Sequence, residues 1–331
     1  MYRIFKLIFW SAAWMTLLAF IMSGIIAWEA ADKLLHPARR PLQAYQQEWI
    51  RHPSSHGMQV KRTQCDQGRV PCLFISPDPG AGPGKRGRVL RSQLAKAGMG
   101  LPAYGKTQGI LLLLHGRGGR KEDLLPAAER FAAAGFNCVI PDLPAHGDSP
   151  IGSAHFATSD LEQDLTGNVL ADARRHFGDP HSPAGIWGIS MGGAFAARAA
   201  SLSPDIWKAV VIVSSFDSLQ GVVEDRLAFL PGMFAGTLGM LLDYATEYRG
   251  RLKLEDVRPD RWAKNITVPV LVAHGDRDSL ISLERGRHLF DALRSTDKSW
   301  VIVPGADHRN VLGTAMPLYA EMSEWFIAHV R

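Results

Sequence analysis

Ala184-Gly185-Ile186-Trp187-Gly188-Ile189-Ser190-Met191-Gly192-Gly193-Ala194-Phe195-Ala196-Ala197 sets an apolar run, a Gly-x-Ser-x-Gly sequence and a small-residue run end to end. The run 184–189 has the length and unbroken apolarity of a strand buried on both faces, and the residues after Ser190 suit a helix. Gly188 and Gly192, two positions before and two after Ser190, are what a strained turn needs if neighbouring backbones are to pass closely. Such a turn lifts its serine clear of the strand end, which makes Ser190 the candidate nucleophile. Glycine and serine are common in this chain, so the five-residue pattern alone is weak and its strand and helix flanks carry the reading.

Working outward, further apolar runs at 110–114, 137–141, 208–214, 268–273 and 299–303 read as strands covered on both faces. Helical patterns at 121–134, 159–177, 191–202, 283–294 and 316–329 alternate with them. This alternation predicts an α/β fold, a mostly parallel doubly wound sheet, as one domain over 58–331 with no internal repeat. Residues 58–76 read as a β-hairpin, and 77–108 as a Gly/Pro-rich insertion. Residues 216–265 are too long for a simple crossover and are rich in Phe, Met and Leu, around Leu227-Ala228-Phe229-Leu230 and 233–242. They predict a small helical cap over the carboxyl edge of the sheet; the plainer alternative is a helical excursion packed on the core.

A serine hydroxyl is a poor nucleophile and needs a base, itself oriented by an acid. Asp278, in His274-Gly275-Asp276-Arg277-Asp278, follows the strand 268–273, and His308, in Pro304-Gly305-Ala306-Asp307-His308, follows the last strand. Both therefore fall, with Ser190, where carboxyl ends of parallel strands converge. Asp276 is a competing acid two residues earlier, while Asp307 reads as a loop residue. His115-Gly116-Arg117-Gly118-Gly119 follows the strand 110–114, and the amides of Arg117 and Met191 are the predicted oxyanion donors. His115, His146 and His274 read as loop-fixing rather than catalytic.

The chain has 331 residues, 46% of them hydrophobic and 21% charged, enough to bury a sizeable core. No His-Glu-x-x-His or clustered Cys/His spacing occurs, so no metal is expected. Neither a Walker sequence nor a dinucleotide fingerprint is present, which disfavours nucleotide binding. The net charge of +5 gathers partly in Lys85, Arg86, Arg88, Arg91, Lys96 and Lys106, a Gly/Pro-rich stretch with little aromatic content. That argues against nucleic acid and for a solvated insertion, with anionic headgroups as the alternative contact.

Residues 7–28 carry no charge, and as a helix these 22 residues would be about 33 Å long, against a hydrocarbon core of about 30 Å. They predict a membrane-spanning signal anchor, with Trp10 and Trp28 near the two interfaces; a cleaved signal peptide would have a shorter apolar run and a small-residue cleavage site. Residues 29–57 read as a connector with a short helical stretch around Leu42 to Ile50. Arg3 and Lys6 before the helix are answered by Lys33, Arg39 and Arg40 after it, while Glu29, Asp32 and the short basic N-terminus favour an extracytoplasmic body. Cys65 and Cys72 flank Asp66-Gln67-Gly68-Arg69 and could face each other across a hairpin, as a disulfide or as two thiols; Cys138 reads as a buried core thiol.

Taken together, the elbow at Ser190, the chain order Ser, Asp, His, the His115-Gly116 loop and the stretch from Asp142 through His146-Gly147-Asp148-Ser149 resemble the α/β-hydrolase superfamily over about residues 58–330. Within it the chain looks most like the serine-aminopeptidase and monoacylglycerol-lipase-like group, which includes membrane-anchored members. In the resembled pattern the acid stands three residues after the glycine, which selects Asp278 and leaves Asp276 as a turn former. The resemblance implies hydrolysis of an ester, amide or thioester without a cofactor. A Phe/Met/Leu-rich cap would line an acyl pocket, so a medium-sized acyl ester is the expected substrate. A peptidase, thioesterase or acyltransferase would use the same residues, and a membrane-tethered binding protein is the non-enzymatic alternative.

Overall fold

Ile110, Leu112 and Leu114 pack into one hydrophobic cluster and Leu111 and Leu113 into a second, so this strand needs apolar cover on both faces. In the computed structural model of the chain, which describes residues 2–313 and 316–331, it lies inside an eight-stranded sheet. The strands are β1 (Met58–Cys65), β2 (Val70–Pro77), β3 (Ile110–Leu114), β4 (Asn137–Pro141), β5 (Ala184–Ile189), β6 (Trp207–Val213), β7 (Val270–Gly275) and β8 (Lys298–Val303). The helices are α1 (Tyr2–Leu35), α2 (Ala44–Arg51), α3 (Lys85–Lys96), α4 (Leu125–Ala134), α5 (Asp160–Phe177), α6 (Met191–Leu202), α7 (Leu219–Leu227), α8 (Gly232–Gly250), α9 (Pro259–Ala263), α10 (Leu283–Ala292) and α11 (Met316–His329).

The strand order is β1-β2-β4-β3-β5-β6-β7-β8. β1 and β2 pair antiparallel with each other and β2 with β4, and every later pairing is parallel. The chain leaves β3 for β4 on one side and returns to β5 on the other, the switch that opens a crevice at the strand ends in doubly wound sheets. One face is covered by α5, α6, α9 and α10 and the other by α3, α4 and α11.

Several expectations are corrected by the packing. The insertion 77–108 is built around a helix, α3, whose Gly87, Leu90 and Leu94 are buried. Two of its six basic residues are tied to the body, Arg86 by a pair with Glu129 and Arg91 by donating to the carbonyls of Ala133 and Pro102, while Lys85, Arg88, Lys96 and Lys106 are exposed as expected of a solvated face. β7 begins at Val270 rather than 268, and Pro269, which has no N–H, only accepts, from the amide of Val210. Cys65 and Cys72 are disulfide-bonded, but diagonally: the register sets Cys65 opposite Val70 and Thr63 opposite Cys72.

The apolar helix continues seven residues past Trp28, because Ala27, Ala31 and Leu35 are buried against the body. Its stretch Phe9–Leu35, 27 residues that include an 18-residue window of mean hydropathy 1.7, is long and apolar enough to cross a membrane. The segment after it is folded rather than a plain connector: Gln46 and Trp49 are buried, and Trp49 stacks on His56 at 3.6 Å.

The sheet is locked to α11 by Phe326, which is fully buried with ring centroids 5.6 Å from Phe131 and 6.2 Å from Phe136. A Cβ at Gly185 would come within 2.7 Å of this ring, so Phe326 lies directly on β5. Phe326→Ala is expected to lower the free energy of unfolding by about 3–5 kcal/mol, measured by urea titration in detergent, because the cavity cannot close against the rigid strand.

Candidate active site

β5 ends at Ile189 and α6 begins at Met191, leaving Ser190 alone to make the turn at φ 55° and ψ −121°. A non-glycine residue in such a region costs on the order of 1–3 kcal/mol and persists only where its surroundings over-determine it. Here they do. A Cβ at Gly188 would lie 2.0 Å from the Gly192 carbonyl, and one at Gly192 would lie 2.1 Å from the Leu114 carbonyl. The Ser190 amide donates to Val213 at the end of β6, and the Ser215 hydroxyl donates to the Ser190 carbonyl, both at 2.9 Å.

The structure brings Ser190, His308 and Asp278 into one hydrogen-bonded line. His308 Nε2 lies 3.0 Å from Ser190 Oγ, and His308 Nδ1 lies 2.8 Å from Asp278 Oδ2. The other carboxylate oxygen of Asp278 accepts the amides of Leu280 and Ile281 at 3.0 and 2.9 Å. Burial pushes the Asp278 carboxyl up, but the bond from His308, its charge and the backbone amides outweigh this and hold it below the usual carboxylate range. Asp276 points elsewhere and accepts the Gly305 amide at 2.6 Å, fixing the turn before His308.

The loop after β3 runs beside the nucleophile: a Cβ at Gly116 would sit 3.3 Å from Ser190 Cβ. Met191 is the first residue of α6, so its amide is among those a helix leaves without an internal partner. His115 and His146 stay neutral and hold loops. His115 Nδ1 donates to the Gly116 carbonyl at 2.9 Å, while its Nε2 accepts the Leu143 amide at 3.0 Å. Burial lowers the pKa of His115, and burial with His115 beside it pushes His146 down to about 3. His274 donates from Nε2 to the Ile281 carbonyl at 3.0 Å, and burial lowers its pKa too.

Beneath this loop lies a charged cluster whose role the sequence did not reveal. Lys121 Nζ donates to Asp142 Oδ2 and Asp148 Oδ2, each at 2.6 Å, and approaches Glu122 at 3.2 Å. The Lys121 amide adds a 2.8 Å bond to Asp142 Oδ1, tying the loop after β3 to the loop after β4. Burial pulls the lysine pKa down, but the surrounding carboxylates outweigh it and raise it. Gly147 passes so close that a Cβ would lie 2.1 Å from the Asp142 carboxylate.

Several large apolar cap residues face outward instead of lining an acyl pocket, although Leu242 and Ala245 are buried. Phe229 and Met233 are 81% and 77% exposed, and Phe234, Met240, Tyr244 and Tyr248 are also on the surface. A cavity of about 430 Å³ between α7 and α8 is walled by Val223, Leu227, Met240 and Leu254 among others, all from the cap. A wider groove of about 710 Å³ reaches Asp278 and is lined by Phe229, Leu280 and Arg285. No group of three or more His, Cys, Asp or Glu placed to hold a metal ion occurs among the described residues.

Comparison with known proteins gives a consistent picture. Residues 109–241 match the family model described as alpha/beta hydrolase fold, and residues 257–312 match that of serine aminopeptidase, S33. The chain is 25% identical over 254 residues, 69% of its length, to a thermostable monoacylglycerol lipase of Bacillus sp. (strain H-257), of which the match covers 94%. Among solved structures, an esterase of Pyrococcus furiosus superposes with a TM-score of 0.61 at 14% identity, covering 89% of this chain and all of that one. A bacterial membrane phospholipase A superposes with a TM-score of 0.52 at 17% identity over 99% of each chain. With its mostly parallel sheet and the elbow between β5 and α6, the chain has the α/β-hydrolase fold, and in sequence it is similar to the monoacylglycerol-lipase-like group.

Proposed function

We propose that the chain is a serine hydrolase that cleaves carboxylic esters of acyl chains and is anchored in a membrane by α1. The observation that carries this reading is the 3.0 Å contact between Ser190 Oγ and His308 Nε2, with Asp278 behind the imidazole. The Asp278 carboxylate accepts from Nδ1–H, which fixes the tautomer in which Nε2 can accept the serine proton. Ser190 Oγ attacks the ester carbonyl as His308 takes its proton, and the oxyanion forms against the amides of Arg117 and Met191. His308 then protonates the departing alcohol, leaving an acyl group on Ser190. It next draws a proton from water, which attacks the acyl-enzyme, and returns that proton to Ser190 Oγ as the bond to the acyl group breaks and the acid is freed.

The names of the relatives, a monoacylglycerol lipase and a membrane phospholipase A, support an acyl ester drawn from lipid. The exposed apolar residues of α8 lie next to α1, where Trp28 meets Tyr248 at 5.9 Å, and this supports a cap that rests at the bilayer surface. The Cys65–Cys72 disulfide supports an oxidising, extracytoplasmic compartment. One match favours a second reading, amide hydrolysis, since 257–312 fit the serine aminopeptidase model; the machinery that attacks a carbonyl is common to both.

A fluorophosphonate probe is expected to tag the wild-type chain and not Ser190→Ala; an untagged wild type would defeat the hydrolase reading. Turnover of p-nitrophenyl esters should exceed that of aminoacyl anilides, and the reverse ranking would install the peptidase reading. Asp278→Asn is expected to lower kcat by about 10⁴-fold, the loss typical when a triad acid becomes an amide, while Asp276→Asn keeps the wild-type order of magnitude. Because the Asp278 carboxyl is held below its unfolded value, its stabilisation is present at neutral pH and fades as pH falls through the acid range. Asp278→Asn should therefore flatten the acid limb of stability against pH. Protease added to intact spheroplasts should digest the body, and full protection would place it in the cytoplasm instead.

A further inference from the structure

α1 ends against the loop that carries Arg117. The Arg117 guanidinium donates to the carbonyl of Lys33, in the last turn of α1. Five residues beyond the helix, Arg40 donates from Nε to the Gly118 carbonyl at 2.7 Å and from Nη2 to Asp123 Oδ2 at 2.9 Å. Arg120 returns a bond from Nη1 to the Arg40 carbonyl at 3.1 Å. Gln46 Nε2 donates to Asp123 Oδ1 at 2.6 Å, while Asp123 Oδ2 also takes the Arg120 amide at 3.1 Å. The Arg117 amide is thus bracketed, on its own side chain and on the carbonyl of the next residue, by groups of one segment. The same end of α1 is held to the cap by Asp32 with Arg249 and by Trp28 with Tyr248.

We propose that residues 33–46 position the oxyanion loop, with Arg40 as the positioning residue, so that stabilisation of the tetrahedral intermediate depends on this juxtamembrane segment being docked. The proposal rests on the hydrolase reading above. Its signature is a loss of rate without a matching loss of fold. Arg40 is more than half exposed, and an ion pair in that setting adds little to global stability. A donor amide moved by as little as an ångström, by contrast, loses much of its hold on a developing oxyanion.

The test uses the full chain in detergent with p-nitrophenyl butyrate, a soluble ester that needs no passage through a bilayer. Arg40→Ala is expected to lower kcat about 10-fold with KM changed less than about 2-fold, the pattern of an interaction made only in the transition state. An alkyl boronic acid, which mimics the tetrahedral state, should bind about 10-fold more weakly, and fluorophosphonate tagging of Ser190 should slow in step. Arg40→Lys, which keeps the charge and one donor, should recover part of each loss. Arg51→Ala, an exposed arginine at the end of α2, should behave as wild type. Wild-type kcat, boronate affinity and tagging in Arg40→Ala would overturn the proposal, as would a kcat loss that only follows the folded fraction. Should Arg40→Ala fail to fold, Arg40→Lys decides: a kcat about 3-fold lower supports the proposal, and an unchanged one overturns it. An untagged wild type would overturn the hydrolase reading itself, so the two failures are distinct.

Discussion

Ser190 sits at a positive φ that an L-residue adopts only under constraint, and much of the surrounding structure exists to supply that constraint. The backbones of β3, β5 and α6 approach so closely at Gly188 and Gly192 that neither position has room for a side chain. The turn is also pinned from two directions, by the Val213 carbonyl at the end of β6 and by the Ser215 hydroxyl just beyond it. Parallel strands buried on both faces give this framework its stiffness. Phe326 passes that stiffness from α11 to β5, one strand length from the nucleophile.

Around the elbow, electrostatics are arranged by depth. Asp278 is buried yet ionised, because His308 and two amides compensate the lost water. Lys121, Glu122 and Asp142 are buried as a charged group, an arrangement that seldom adds stability over apolar packing but leaves few alternative positions for the loops it joins. That specificity suits loops whose backbone amides must face a transient negative charge.

Much of this could be read in the sequence, for physical reasons. Parallel strands covered on both faces write themselves as continuous apolar runs, so the runs 110–114, 137–141 and 184–189 coincide with β3, β4 and β5. The residues at strand ends followed from chain order, since parallel strands deliver their carboxyl ends to one rim. What stayed hidden depends on partners distant in sequence. Lys121 and Asp142 look like surface charges until the fold sets them 2.6 Å apart. Arg40 is one of several basic residues after an apolar run, and only the fold shows Gly118 within its reach. The cap could be recognised as an apolar excursion, but composition does not say which way a helix faces, and Phe229 and Met233 turn outward.

α1 enters the body as one uninterrupted helix through Leu35, and the residues that follow are bonded along their length. A catalytic unit on a flexible leash would sweep a hemisphere above its attachment point. With α1 in a bilayer as proposed above, a body clamped to its upper end would move with that helix, and its encounters would be two-dimensional. A lipid ester of the kind proposed would then arrive by lateral diffusion into the ring around the anchor, and turnover would follow its surface density in that leaflet rather than its concentration in bulk solution.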